Sequence, residues 1–341
     1  PDQQACGLVA DILEPAHHPW RHGDHVEGVE EQLILALVAP LNFEPAVEAE
    51  KRLAGELMGV EQGAVARRAF GDDHAHLVLR GHRGVLRHGA AHVANAGHDV
   101  VLLDIVPDGA KKRSELAMNA VERMLKTEPA AFMEKRTAKR ITCGNIEDDL
   151  KLLADADWIV EAVIEKRDIK QAIYRLIDGV RKDGSIVSSN TSTIPCRDLM
   201  DGMDESFQRD FLITHFFNPP RYMRLLEIVA GDNTRADAIT AVSEFADIKL
   251  GKGVVDCKDT PGFIANRIGT FWIQAAVVEA FKGTVTVEQA DAAIGRALGI
   301  PKTGIFGLMD LVGIDLMPLV SKSLYDAVPE NDAYRALYGE P

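Results

Sequence analysis

Cysteine is scarce in this sequence and never clustered. Cys6, Cys143, Cys196 and Cys257 are scattered over 341 residues without a CxxC pair. That excludes a disulfide framework and a cysteine-based zinc site, and it points to reduced thiols in a cytoplasmic protein. Long apolar runs are missing too. The longest, Leu33 to Leu41, contains Pro40 and falls far short of the ~20 residues of a membrane span. The first residues do not read as a secretory leader. Positive charge is outnumbered: 38 Lys and Arg stand against 52 Asp and Glu, a formal charge of -14. A field of that sign repels phosphate backbones and anionic headgroups, so neither a nucleic-acid nor a membrane-surface partner is expected. With 46% hydrophobic and 26% charged residues, the chain has globular composition, and its length suggests about two domains.

Lysine is nearly absent from the first 110 residues, where Lys51 stands alone, whereas ten of the eleven histidines lie at or before His98. So sharp a shift marks a boundary, and residues 1–80 read as an atypical, poorly ordered segment. Within it, Val29 to Arg68 reads as a helical stretch broken by Pro40 and Pro45. The fragment His22-Gly23-Asp24-His25 resembles half of a metallo-hydrolase motif. Pro19 and Gly23 keep His18 and His22 off a shared helix face, and no metal site is expected.

From about Ala90 onward the punctuation becomes regular. HVANAG closes a helix at Gly97, a C-cap glycine. DVVLLDI (99–105), ITCGNI (141–146), WIVEAVI (158–164), SIVSSN (185–190) and FLITHFF (211–217) read as short buried strands. Helices are expected between them, at Pro107–Lys126 and at DIKQAIYRLIDGVRK (168–182). This alternation predicts an α/β fold with a doubly wound parallel sheet. The strands stop after Gly262 and helices follow. The expected organisation is therefore residues 81–258 as a Rossmann-like domain and residues 259–341 as an all-helical C-terminal domain.

Several polar residues sit where chemistry is plausible. Asp104 ends a strand that follows a helix; in a dinucleotide fold an acid there accepts hydrogen bonds from ribose hydroxyls, and otherwise it starts a turn. The glycine turn that should precede it is missing. GHRGVLRHG (81–89) lacks the G-x-G-x-x-G spacing, and side chains at Arg83 and Leu86 would obstruct the approach of backbone amides to a pyrophosphate. Gly251-Lys252-Gly253 has no third glycine. His215 ends an apolar strand that Asn218-Pro219-Pro220 terminates, which places it near the carboxyl edge where such sheets bind ligands. Glu227, in the apolar run RLLEIVAG, needs a partner if buried. In an adjoining strand it would reach His215, fixing its tautomer as a general base requires. Ser192 follows a strand in a polar cluster, either a turn or a set of hydroxyls facing a ligand. Asn266, if interior to a helix, needs a partner for its amide. Spacing alone leaves Glu161, Glu165 and Lys170 solvated.

The motifs VVLLDI, IVEAVIE, SSNTSTIP, THFFNPP, LLEIVAG, CKDTPGFIANRIG and IPKTGIFGLMDLVGID, in this order, resemble the NAD-dependent L-3-hydroxyacyl-CoA dehydrogenases over about Ala90 to Asp315. The resemblance implies an NAD-binding Rossmann-like domain, a dimerising helical domain, and oxidation of the 3-hydroxyl of an acyl-CoA in fatty-acid metabolism. It implies His215 and Glu227 as the catalytic pair, Ser192 and Asn266 as substrate contacts, and Asp104, Glu165, Lys170 and Ser192 on the cofactor side. Two departures carry expectations of their own. The lost glycine turn, with the compositional break beside it, points to a reading-frame or gene-fusion junction and to weakened NAD affinity. The chain also stops before the family's closing segment, as a fragment would. A dehydrogenase of a non-CoA 3-hydroxy acid, a non-catalytic dimerising homologue and a His-rich metal module in residues 17–88 are the competing readings.

Overall fold

The computed structural model describes residues 33–37, 85–107, 109, 111–298, 303–314 and 317–338. The metal-motif fragment at 22–25 and the first four residues, 81–84, of the segment that lacks the glycine fingerprint lie outside these residues.

Eight strands form one sheet in the order β3-β2-β1-β4-β5-β6-β7-β8. They are β1 (Leu33–Leu37), β2 (Val100–Asp104), β3 (Ile141–Asn145), β4 (Trp158–Glu161), β5 (Ile186–Ser189), β6 (Phe211–Phe216), β7 (Leu225–Ala230) and β8 (Gly253–Cys257). Strands β2, β3, β4, β5 and β6 run in one direction, while β1, β7 and β8 run against them. The parallel frame is thus the expected one. All of β2, β4, β5 and β6 is buried, as strands covered by helices on both faces must be. The reversal at β7 follows from chain length: residues 217–224 make a short connection, enough for an antiparallel neighbour and too little for a parallel crossover.

Helix α1 (Val85–Asn95) precedes β2, while α2 (Glu115–Met124) links β2 to β3 and α3 (Arg167–Asp178) links β4 to β5, each joining parallel strands. Gly97, at φ +92°, turns the chain out of α1 in a conformation that favours glycine. In α3 the buried residues Lys170, Ile173, Tyr174 and Ile177 follow the i, i+3, i+4, i+7 pattern of a core-facing stripe. After β8 come only helices: α4 (Ala265–Phe281), α5 (Val287–Ala293), α6 (Phe306–Val312), α7 (Met317–Ala327) and α8 (Ala333–Tyr338). Thr286 and Gln289 form a reciprocal capping box at the start of α5. No helix among the described residues is long and apolar enough to cross a membrane.

Three expectations need correction. The helical reading of Val29–Arg68 fails at Leu33–Leu37, which is strand β1, hydrogen-bonded to β2 on one side and β4 on the other. Two open strand edges offer its backbone more partners than a local helix does, and tertiary pairing overrides local pattern. The helix expected at Pro107–Lys126 is confined to Glu115–Met124. Residues 111–114 ahead of it form bends and a turn, where Arg113 bridges Glu147 and Asp148. The strand expected over 158–164 ends at Glu161, for a reason that bears on the candidate site.

Candidate functional site

His215 is the penultimate residue of β6, and Glu227 is its register partner on β7. The antiparallel ladder therefore places the two side chains together, and His215 Nδ1 lies 2.7 Å from Glu227 Oε2. Both are buried, the imidazole 8% and the carboxylate 1% exposed. The other carboxylate oxygen, Oε1, accepts the backbone N–H of Ile264 at 3.0 Å and of Ala265 at 2.8 Å. The Cys257 thiol approaches Oε1 at 3.8 Å. Burial alone would push the Glu227 carboxyl up. The hydrogen bonds from His215 and from the two amides, with the imidazole's field, hold it below the usual carboxylate range.

A carboxylate so held accepts the Nδ1 proton, which leaves Nε2 free to act as a base. Phe217 and Phe263 pack against the imidazole, with ring centroids 4.5 and 5.6 Å away. Phe263 stands at φ +48°, a conformation costly for a bulky side chain. The turn it makes brings the first residues of α4 onto Glu227.

The ends of β4 and β5 complete this edge of the sheet. A cleft of about 410 Å³ is lined by Ala162, Val163, Glu165, Lys170, Asn190, Ser192, His215 and Phe216. Ser192 lies in the bend after β5 and also lines a neighbouring cleft of about 310 Å³, which it shares with Asn266 on α4. The structure thus gathers His215, Ser192, Glu165 and Lys170 around one opening, with Glu227 buried behind His215 and Asn266 in the neighbouring cleft that Ser192 shares. Asp104 ends β2 on the same edge and is fully buried, and its Oδ1 accepts the backbone N–H of Ile105 at 2.6 Å.

Glu161 and Lys170 are buried and Glu165 is only partly exposed, contrary to the reading from spacing. Glu161 is 0% and Lys170 1% exposed, paired at 2.8 Å, with Glu165 Oε2 3.3 Å from the same ammonium. Burial would push the Lys170 ammonium down, but the two carboxylates hold it above its ordinary value. β4 stops at Glu161 because that carboxylate turns back to accept the N–H of Val163 at 2.5 Å. The signal was in the sequence: Lys170 stands in an apolar helical stripe, where a cation requires a buried counter-charge.

Asn190 was not singled out from sequence, although it lines the cleft and its Oδ1 accepts the Phe216 N–H at 3.0 Å, tying β5 to β6. Lys252, from the glycine pair set aside as a false fingerprint, is buried and donates to the carbonyls of Pro220 and Met223. It braces the loop after His215, and burial pushes its ammonium down to about 8. Among the described residues no cluster of His, Cys, Asp and Glu could hold a metal ion.

As a test of fit for a dinucleotide, the acid at the end of β2 and the polar cleft at the ends of β4 to β6 suit its ribose and ring ends. The pyrophosphate cradle is a different matter. β1 enters antiparallel, so its carboxyl-terminal Leu37 pairs with Val100 and Trp158 at the opposite edge. Among the described residues, no glycine turn leads from a strand into α1.

Comparison with known proteins accords with this geometry. Residues 81–260 match the 3-hydroxyacyl-CoA dehydrogenase NAD binding domain, and residues 262–338 match the 3-hydroxyacyl-CoA dehydrogenase C-terminal domain. A probable 3-hydroxyacyl-CoA dehydrogenase of Deinococcus radiodurans is 44% identical over 72% of this chain and 71% of its own length. A probable 3-hydroxyacyl-CoA dehydrogenase of Bacillus subtilis is 43% identical, but the match spans 71% of this chain and only 33% of that protein. A putative fatty acid oxidation complex trifunctional enzyme of Rickettsia felis is likewise matched over 36% of its length. The chain therefore spans about a third of those two relatives. Relatives include a mitochondrial protein of Mus musculus, 30% identical.

Among solved structures, FadB2 of M. tuberculosis superposes with a TM-score of 0.63 at 28% identity, covering 75% of this chain and 86% of that one. The (S)-3-hydroxybutyryl-CoA dehydrogenase PaaH1 of Ralstonia eutropha gives 0.60 at 29%, covering 74% and 88%. With an NAD-binding domain and the matching helical domain following one another along it, the chain belongs to the 3-hydroxyacyl-CoA dehydrogenase family.

Proposed function

We propose that this chain oxidises the 3-hydroxyl of an L-3-hydroxyacyl-CoA to the ketone, with NAD+ as hydride acceptor. The observation that carries the reading is the 2.7 Å hydrogen bond between His215 Nδ1 and Glu227 Oε2 beside a polar cleft at the sheet's carboxyl edge. Bound there, NAD+ would take the hydride from C3. His215 Nε2 receives the hydroxyl proton, and Glu227 stabilises the imidazolium as it forms. Ser192 and Asn266 hold the substrate oxygen, so that the carbon bearing the hydrogen is fixed in direction. Asp104 serves the adenosine ribose, and Glu165 and Lys170 serve the cofactor beside Ser192.

The unit performing this is residues 81–258 with 259–341, and of residues 1–80 strand β1 (Leu33–Leu37) joins its sheet. The partner is a second copy of the chain. Ile264, Ile268 and Phe271, spaced to one side of α4, are exposed at 43%, 64% and 42% in the single chain, which favours a covered face. Free thiols at Cys143, Cys196 and Cys257 support a reducing, cytoplasmic setting.

NAD affinity is expected to be weak, because backbone amides at a helix N-terminus carry much of pyrophosphate binding and GHRGVLRHG (81–89) lacks the glycine spacing that lets them approach it. That same lack favours a second reading, a dimerising homologue without turnover. Formation of NADH from 3-hydroxybutyryl-CoA, set against the free 3-hydroxy acids and against His215→Ala, decides between them. Turnover of the CoA ester that His215→Ala abolishes supports the enzyme; equal rates for both proteins, or none from either, refute it. Micromolar NAD binding by titration calorimetry would overturn the weak-affinity expectation.

A further inference from the structure

Glu161 has no part in the proton transfer, yet it is fully buried beside the cleft and both its oxygens are hydrogen-bonded. Its Oε1 accepts from the Val163 N–H at 2.5 Å and from Lys170 Nζ at 2.8 Å. Its Oε2 accepts from the Tyr174 hydroxyl and the Ser189 hydroxyl, each at 2.7 Å. Four donors on a fully buried anion make an arrangement that tolerates little displacement.

Two arms run from it to one turn. Through Lys170, whose ammonium also donates to the Val163 carbonyl at 3.1 Å, the first arm reaches Glu165 Oε2 at 3.3 Å. Glu165 Oε1 in turn accepts the backbone N–H of Ser192 and of Thr193, both at 3.1 Å, and the hydroxyls of Thr191 and Thr193. The second arm is Ser189, whose hydroxyl oxygen accepts the Thr191 N–H at 3.2 Å. Both end on residues 191–193.

We propose that Glu161 is a positioning residue for Ser192: it fixes Lys170 and Ser189, and through them it sets the turn that presents the Ser192 hydroxyl to the cleft. Without Glu161, the Lys170 ammonium would be held on one side only, by Glu165. Glu161 holds it from below, so Glu165 meets it in one place. Held from both sides, the ammonium keeps Glu165 Oε2 in place while Oε1 accepts the two backbone amides it orders. Glu161→Gln keeps the shape but presents an amide N–H2 where a donor already stands, either the ammonium or the hydroxyl pair.

This rests on the reading of Ser192 as a substrate contact, and the test separates the two. Hydrogen exchange on the full chain without cofactor reads the Ser192 and Thr193 amides directly. Glu161→Gln is expected to accelerate both by about tenfold or more, with the amides of α5 unchanged. Lys170→Met breaks the first arm alone and gives a smaller acceleration, and the double variant falls short of the sum of the two singles, because they share that arm. Tyr174→Phe removes one donor without touching the turn. It gives a smaller acceleration at the same amides and keeps the test decisive should Glu161→Gln fail to fold. Unchanged exchange at Ser192 and Thr193 in whichever variant folds, or additive effects in the double variant, overturns the proposal. Titration of the unaltered chain with acetoacetyl-CoA addresses Ser192 itself: absence of binding removes that reading and leaves the exchange result standing.

Discussion

Glu227→Gln isolates the carboxylate of the dyad while keeping its volume. The carboxylate accepts on both sides: His215 on Oε2, and the Ile264 and Ala265 amides on Oε1. A glutamine has one accepting end and one donating end, and neither orientation suits. With its oxygen toward the amides, its N–H2 faces Nδ1, which must give up its proton and become the acceptor, so the proton moves to Nε2 and the base is lost. With its oxygen toward His215, the N–H2 confronts two backbone donors in a buried site, and each unmet donor costs about 1–3 kcal/mol. Turnover is expected to fall by about 10³–10⁴, the scale of a neutralised carboxylate behind a catalytic histidine, and stability by about 2 kcal/mol. Nitrogen-15 NMR of the imidazole reports the tautomer and urea unfolding the stability, alongside the rate with 3-hydroxybutyryl-CoA. A variant that keeps its proton on Nδ1 and works within tenfold of the parent would refute the reasoning.

Acid should weaken the fold through two histidines outside the site. His92 donates from Nε2 to the Leu250 carbonyl at 3.0 Å, and His98 packs on Phe245 at 5.0 Å. Burial, aided by nearby lysines and arginines, pushes each down from 6.5 to about 4. The unfolded chain binds the extra protons first, so their contribution is intact above pH 6.5 and is lost as pH falls through about 4. Urea unfolding at pH 7.5 and 5.0 should differ by about 1–2 kcal/mol per ring, and replacing both with phenylalanine should remove that part of the difference. Gly144→Ala should destabilise by about 1–3 kcal/mol, because its new Cβ would stand 2.8 Å from both Asp149 Oδ2 and Leu103 Cδ2. A melting temperature equal to the parent's would contradict the crowding described here.

What the sequence made legible was whatever depends on periodicity and on strand order. The buried runs around VVLLD and FLITHF, the close of α1 at Gly97 and the meeting of His215 with Glu227 all follow from local pattern and one short connection. What spacing alone concealed depends on burial and on the contacts that the fold assembles. Glu161 and Lys170 have the spacing of surface charges, and only the stripe of α3 places the lysine inside. Phe263 carries no mark of its unusual backbone, because a positive φ at a bulky residue is imposed by the contacts around it. Leu33–Leu37 is compatible with helix or strand by composition, and the two open edges that decide the matter belong to residues well over sixty positions later.

The orientation of β1 has a consequence for how such a chain would behave at the bench. A strand inserted backwards between two parallel neighbours still meets both ladders, so cooperativity of melting, secondary-structure content and resistance to proteolysis would all report a sound domain. The information lost is vectorial: a strand's heading decides which rim of the sheet its outgoing chain reaches, and the ladder energy is nearly blind to that choice. Foldedness and competence for a dinucleotide can therefore part company in this protein without any disturbance that a stability measurement would register.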